Sequence, residues 1–205
     1  MSDENEKRET VDGLPAAARA VSRLGLWDSD YGHQNYGRQT YAEDTTVRKG
    51  AAFLNDPAIR TVEDWGCGYG GLKLYLPAWI QYVGIDGSQS KFADKIADLE
   101  SYRSSVDAVF LRHVLEHNPN WHLVLENAVA SFTRKMVLVL FTPFQPATRV
   151  LREYPGWGGT PHSMWDIGFR REDIISRFSG AQWSSEEGLR TQTGYGVEHI
   201  FYLWL

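Results

Sequence analysis

The stretch from residue 61 to residue 86 constrains this chain more than any other part of it. A short apolar run, Thr61 to Trp65, leads into Asp64-Trp65-Gly66-Cys67-Gly68-Tyr69-Gly70-Gly71, and a second run, Gln81 to Ile85, leads into Asp86. Glycines at alternate positions let a backbone turn sharply and approach a ligand with no Cβ in the way. The helix predicted next, over Gly71 to Trp79, presents amides and a dipole that favour polar or anionic groups. Asp86 stands 20 residues beyond Gly66, at the end of the second strand, where a carboxylate can accept both hydroxyls of a ribose. Strand, glycine turn, helix, strand and acid in this order signal a nucleotide-like ligand bound at the strand ends of an α/β sheet.

The remaining pattern agrees with such a sheet. Phe92 to Ala97 reads as a weak third strand and Val106 to Leu111 as a stronger fourth. Trp121 to Thr133 is the next helix and Lys135 to Phe141 the fifth strand, which Thr142-Pro143 ends. A long loop rich in Gly, Pro and aromatics is expected from Pro143 to Gly168, and loops of that length are more often functional than idle. Arg170 to Ser179 is predicted helical, and Gln182 to Glu186 with Glu198 to Leu205 as a closing antiparallel pair. Upstream, the spacing predicts helices over Leu14 to Leu26 and Thr45 to Leu54, separated by a loop or lid from Trp27 to Asp44. The expected fold is an α/β three-layer sandwich with a mostly parallel central sheet and a C-terminal antiparallel strand pair.

The 205 residues suit one compact domain, taken as 13–205 with a helical lid over 13–55, preceded by an acidic, polar leader, Met1 to Asp12, expected to be disordered. A net charge of -5 provides no electrostatic footprint for DNA or RNA, so no nucleic-acid partner is expected. The single cysteine, Cys67, cannot form an internal disulfide, which fits a reducing, cytoplasmic setting. The longest aliphatic run, Met136 to Phe141, is far shorter than the roughly 20 apolar residues of a membrane span, so no membrane partner is expected. Nothing in the sequence specifies an oligomeric state.

An acid two residues before the first glycine would face a pyrophosphate across the turn, so Asp64 argues for a cationic or zwitterionic ligand. At this point the chain resembles the class I S-adenosylmethionine-dependent methyltransferases. Their first motif is an acid, one spacer and alternating glycines, matched by Asp64, Gly66, Cys67, Gly68 and Gly70. The resemblance runs from about Val62 to Pro143. It implies S-adenosylmethionine as cofactor, its methionine part in the acid-glycine turn and its ribose on Asp86, in the segment Asp86-Gly87-Ser88. It also implies an adenine contact through Asp98 in Ala97-Asp98-Leu99. Beyond strand 4, Arg112-His113-Val114-Leu115-Glu116-His117 is close to the segment that many small-molecule methyltransferases carry beside the transferred methyl. Only five residues separate Asp86 from the third strand, so the family's second helix is expected to be shortened or absent.

Ligands of open α/β sheets bind beyond the carboxyl ends of the strands, where His113 and His117 fall. Imidazole, with an ordinary pKa near 6.5, is suited to take a proton from a hydroxyl or ammonium attacking a methyl group. His117 ranks first as base, with His113 and His162 below it. His113, Glu116 and His117 also spell the H-x-x-E-H of inverted zinc proteases, but the segment directly follows a buried strand in a cofactor-binding plan, and no metal is assigned. The plain alternative is that both histidines cap the end of strand 4. The implied function is methylation, at oxygen or nitrogen, of a small-molecule acceptor. A cofactor-binding module without transfer activity stays open, because the cofactor motif is more specific than any catalytic residue.

Eight Trp, ten Tyr and nine Phe exceed what a core of this size needs. Trp65, Phe110, Phe141 and Phe201 fall on strands and are expected in the core. Trp27, Tyr31, Tyr36, Tyr41, Phe144, Tyr154, Trp157 and Trp165 fall on the two segments expected to roof the strand ends. They are expected to wall the acceptor site, suiting a planar or sugar-like substrate.

Overall fold

In the computed structural model, which describes residues 10–11, 14–15, 24–32, 44–159 and 162–205, these runs assemble around a seven-stranded sheet. Strands β1 (Thr10–Val11) and β2 (Leu14–Pro15) form a small antiparallel pair, and α1 (Asp28–Gly32) precedes α2 (Thr45–Leu54). Then come β3 (Thr61–Trp65), β4 (Gln81–Asp86), β5 (Lys95–Ile96), β6 (Val106–Arg112), α3 (Trp121–Ser131) and β7 (Phe132–Leu140). A second antiparallel pair, β8 (Arg149–Tyr154) and β9 (Met164–Gly168), is followed by α4 (Arg171–Ile175), β10 (Gln182–Arg190) and β11 (Val197–Trp204).

The sheet order is β10-β11-β7-β6-β3-β4-β5, with β7, β6, β3, β4 and β5 parallel and β11 and β10 closing it antiparallel. Successive side chains of a strand point to opposite faces. Val109 and Leu111 of β6 and Met136, Leu138 and Leu140 of β7 therefore join one core, against Trp121, Leu125 and Ala128 of α3 and Ile174 of α4. The intervening Ala108, Phe110, Val137 and Val139 join the other, against Val47, Ala51 and Leu54 of α2. A sheet buried on both faces explains why its central strands read as continuous apolar runs.

The expected fold class is the observed one, and several local expectations are corrected. The helix expected over Gly71 to Trp79 is a single 3₁₀ turn, Gly71–Leu74. Two glycines precede it and Pro77 disfavours helical geometry at Leu76, leaving too few residues for an α-helix. The third strand shrinks to Lys95–Ile96 because the short stretch after Asp86 is held otherwise. The Gly84 amide donates to the Asp94 carboxylate and the Asp94 amide to the Gly84 carbonyl, both at 2.8 Å. The loop expected over Pro143 to Gly168 contains the β8–β9 hairpin, whose long connection lacks the two-residue turn signal of tight hairpins. The helix expected over Arg170 to Ser179 is confined to Arg171–Ile175.

Of the helix expected over Leu14 to Leu26, the start is strand β2 and the end a turn, while residues 16–23 lie outside the described residues. The expected leader also lies outside them apart from Thr10–Val11, which pairs with β2. Among the described residues, no helix is long and apolar enough to cross a membrane.

Helix α2 lies close on the sheet because Gly50 has no side chain; a Cβ there would come within 2.6 Å of the Phe110 ring and 3.2 Å of Val137. Gly50→Ala is expected to lower stability by about 1–3 kcal/mol through overpacking. Urea denaturation checks this, and an unchanged midpoint would contradict the packing described.

Candidate active site

The turn after β3 folds under constraints that only glycine meets. Gly66 has φ 71°, a left-handed conformation costly for other residues, and a Cβ on it would lie 2.3 Å from Val114. Its amide and that of Cys67 both donate to the Ile85 carbonyl, at 2.8 and 3.1 Å, which seats the turn on the end of β4. Asp86 closes the arrangement: its Oδ1 accepts the Ser88 amide at 2.9 Å, and its Oδ2 accepts the Gly68 amide at 2.9 Å and the Tyr31 hydroxyl at 3.3 Å. Burial raises the Asp86 pKa despite these donors.

Asp64 projects from β3 beside this turn, 4% exposed, with the Tyr82 hydroxyl donating to it at 2.9 Å. Burial foremost, with repulsion from Asp86 adding to it, pushes its carboxyl from the ordinary 3.8 up to about 7. Cys67 is buried as well, and its thiol is pushed up by that burial, so it is an inert packing residue.

These groups line a cavity of about 530 Å³. Asp64, Gly66, Cys67, Gly68, Gly70, Asp86, Gly87, Asp98, Leu99 and Arg112 all contribute to its wall, as do His113 and His117; His162 does not. Asp98 also shapes its own loop, its Oδ1 accepting the Glu100 amide at 3.0 Å. A segment from Gly25 to Tyr31 is strapped across the turn: the Gly25 amide donates to the Gly87 carbonyl at 2.8 Å, and the Trp27 amide to the Ser88 hydroxyl at 2.9 Å.

The histidines after β6 differ in what holds them. His113 is itself left-handed, with φ 57°, and its Nε2 binds the carboxylate of Glu198, which is fully buried on β11. The same carboxylate accepts from Arg112 Nη2 at 2.8 Å and from the Thr46 hydroxyl at 3.1 Å. Burial, with the neighbouring Arg112 charge, takes the His113 pKa down to about 3. Burial pushes Glu198 up, yet the His113 hydrogen bond and the Arg112 charge more than offset it and hold the carboxyl low. His113 and Arg112 thus touch the cavity while anchored to a buried acid.

The His117 Nδ1 lies 2.8 Å from the Trp165 carbonyl and 3.5 Å from Asp166 Oδ1. An Nδ1–H donating to that carbonyl leaves Nε2 as the basic nitrogen of the ring. Glu116 between the two histidines is fully buried; its Oε1 accepts the Phe141 amide, and burial raises its pKa to about 8. Among the described residues, no group of three or more His, Cys, Asp or Glu side chains is arranged to hold a metal ion.

Several rings converge on His117. Trp27 meets it edge-on with centroids 5.2 Å apart, Trp157 packs on Trp27 at 5.2 Å, Tyr154 on Trp157 at 5.6 Å, and Phe141 lies 5.4 Å from the imidazole. Tyr31 lines the cavity beside Tyr69. The expected ring wall is corrected in four places: Trp157 and Tyr154 lie behind Trp27 and do not line the cavity, and Phe144 and Trp165 pack against the larger core, Phe144 against His199 and Phe201. Tyr36 and Tyr41 lie outside the described residues. Asp166, Tyr195 and Glu198 were invisible to motif reading, because none lies within a motif and each reaches the site's residues from a distant strand or turn.

A family model described as a methyltransferase domain matches residues 18–186. No curated protein matches the chain. Among solved structures, the fold is similar to that of 1,6-didemethyltoxoflavin-N1-methyltransferase from Burkholderia thailandensis, solved with 1,6-didemethyltoxoflavin and S-adenosylhomocysteine bound. The identity is 13%, the TM-score 0.63, and 96% of this chain and 92% of that one are covered. It is also similar to magnesium protoporphyrin IX methyltransferase from Synechocystis with S-adenosylhomocysteine bound (18% identity, TM-score 0.60, 87% and 92% covered). The same enzyme with S-adenosylmethionine bound matches at 20% identity and TM-score 0.58, over 87% and 89%.

Because Asp64 titrates higher in the folded chain than the ordinary 3.8, it contributes stability that is full below about pH 4 and is lost as pH rises to about 7. Asp64→Asn removes that dependence. The ligand-free variant is therefore expected to gain stability relative to the parent between pH 5 and pH 8, measured by urea unfolding at both. An equal difference at the two pH values would contradict a buried, proton-holding Asp64.

Proposed function

The chain belongs to the methyltransferase-domain family and is an S-adenosylmethionine-dependent methyltransferase of class I fold, and from that premise we propose that it methylates a small-molecule acceptor at oxygen or nitrogen. The observation that carries this reading is that one cavity is lined by Asp64 and Asp86 at the glycine turn and by His117, which Trp27 faces. A hydroxyl-accepting carboxylate, a second acid matched to a cation and a turn without Cβ atoms form a donor and acceptor set that fits this cofactor. In this reading Asp86 holds the ribose, Asp64 with Gly66, Gly68 and Gly70 the methionine part, and Asp98 with Leu99 the adenine end.

The cofactor supplies a methyl group on a positively charged sulfur; the acceptor's lone pair takes the methyl and the sulfur keeps the electron pair of the broken bond. The protein's own tasks are alignment and removal of the acceptor's proton. His117 Nε2 takes that proton in this reading, with Nδ1 fixed on the Trp165 carbonyl. His113, neutral and bound to Glu198, is assigned to support the wall, and His162, which does not line the cavity, to the β8–β9 connection.

The small acceptor is supported by the rings around His117 and by the neighbours, which are named for 1,6-didemethyltoxoflavin and magnesium protoporphyrin IX. The acidic net charge argues against a nucleic-acid acceptor. We assign residues 13–205 to one domain, and the lone buried cysteine suits the cytoplasm.

Incubation with labelled S-adenosylmethionine and a metabolite extract is expected to place label in a small molecule. Label in protein alone would overturn the acceptor class, and cofactor binding without any transfer would reduce the chain to a binding module. His117→Ala should lower turnover by about 10²-fold or more with cofactor affinity nearly unchanged, and near-normal turnover would remove it as base. Asp86→Ala should weaken cofactor binding by roughly ten- to a hundredfold, the loss of hydrogen bonds to a charged group, as calorimetry can measure. Because a cationic ligand favours ionised Asp64, affinity is also expected to rise as pH increases through about 7.

A further inference from the structure

Asp166 on β9 has no place in any motif, is 4% exposed and does not line the cavity. Three groups converge on it. Its Oδ2 accepts the Tyr154 hydroxyl from β8 at 3.1 Å and the Tyr195 hydroxyl, from the turn between β10 and β11, at 3.0 Å. Its Oδ1 faces His117 Nδ1 at 3.5 Å, next to the Trp165 carbonyl that lies 2.8 Å from the same nitrogen. A buried carboxylate is costly unless donors satisfy it, and an ionised one only accepts hydrogen bonds. Two tyrosine hydroxyls satisfy one oxygen, and the group positioned for the other is the imidazole.

We infer that Asp166 is the positioning residue of His117, holding its ring with the proton on Nδ1 and stabilising the imidazolium formed when Nε2 takes a proton. The inference rests on the reading of His117 as base. The proton lost by the acceptor resides on Nε2, and Nδ1 keeps its own. A carbonyl alone would orient the ring; a carboxylate adjacent to it also favours the charged form, because an opposite charge within about 4–6 Å raises proton affinity. Among the described residues, other titratable and charged groups near the ring include Glu116, His113 and Arg112 bound to Glu198 of β11, and Arg152, whose guanidinium donates to the Tyr154 hydroxyl at 3.1 Å.

Long-range proton–nitrogen NMR of the full-length, nitrogen-15-labelled protein reads the tautomer and the titration midpoint of His117, assigned by the signal missing in His117→Ala. The neutral ring is expected as the Nδ1–H tautomer. Asp166→Asn should lower the proton affinity of Nε2 by about tenfold. Tyr195→Phe, a milder change that keeps the acid but removes one donor from it, should raise that affinity, the opposite direction. Structural loosening would move both variants the same way and would overturn the inference, as would an Nε2–H tautomer in the parent or an Asp166→Asn midpoint equal to it. Normal turnover by His117→Ala would overturn the base reading and leave the NMR result standing, so the two failures are distinguishable.

Discussion

A carboxylate with no access to solvent must be paired, and Glu198 on β11 is such a group. Its three partners come from two places: Thr46 at the start of α2, and Arg112 and His113 at the end of β6. Meeting that demand draws the chain after β6 into a left-handed residue, His113, which a β-strand would not otherwise contain. The turn that follows then places Val114 against Gly66 and directs His117 to the cavity wall. One buried charge thus joins the antiparallel edge of the sheet, the helix that covers its other face and both sides of the site.

The site contains two acidic regions with different chemical states. At the glycine turn, burial raises both Asp64 and Asp86, and a cation entering there favours their ionised forms. Around His117, Asp166 is met by two hydroxyls and an imidazole, while Glu116 next in sequence is pushed up toward its neutral form by burial. Like charges so close cannot all be retained at low cost, and the fold separates them by giving each a different set of donors.

The layered architecture was legible because each part of it has a local cause. Thr45–Leu54 and Thr61–Trp65 run as their periodicity predicts, and the C-terminal pair follows from alternation in β11. The turn at Gly66 was legible because only glycine satisfies both its φ and the nearness of Val114. The expected helix after it was lost to Pro77 and the third strand to the Asp94–Gly84 pairing, which compete with propensity over too few residues. The β8–β9 hairpin was hidden because its connection is long, and with it went Asp166, although the rings of Tyr154 and Trp157 on the same segment were expected near the strand ends.

The sequence by itself determined the sheet, the glycine turn and the two acids that flank it, since strand periodicity, left-handed glycines and short-range spacing act within a few residues of the chain. Only the tertiary structure decided what holds each histidine: His113 and His117 stand four residues apart with the same chemistry, and nothing local separates them. Glu198 reaches the first from 85 residues away, while Trp165 and Asp166 reach the second from 48 and 49, and what each ring can do follows from those partners. Long-range hydrogen bonds to buried charges leave no periodic trace in a sequence, because any acid at a strand position can make them once the fold brings it near.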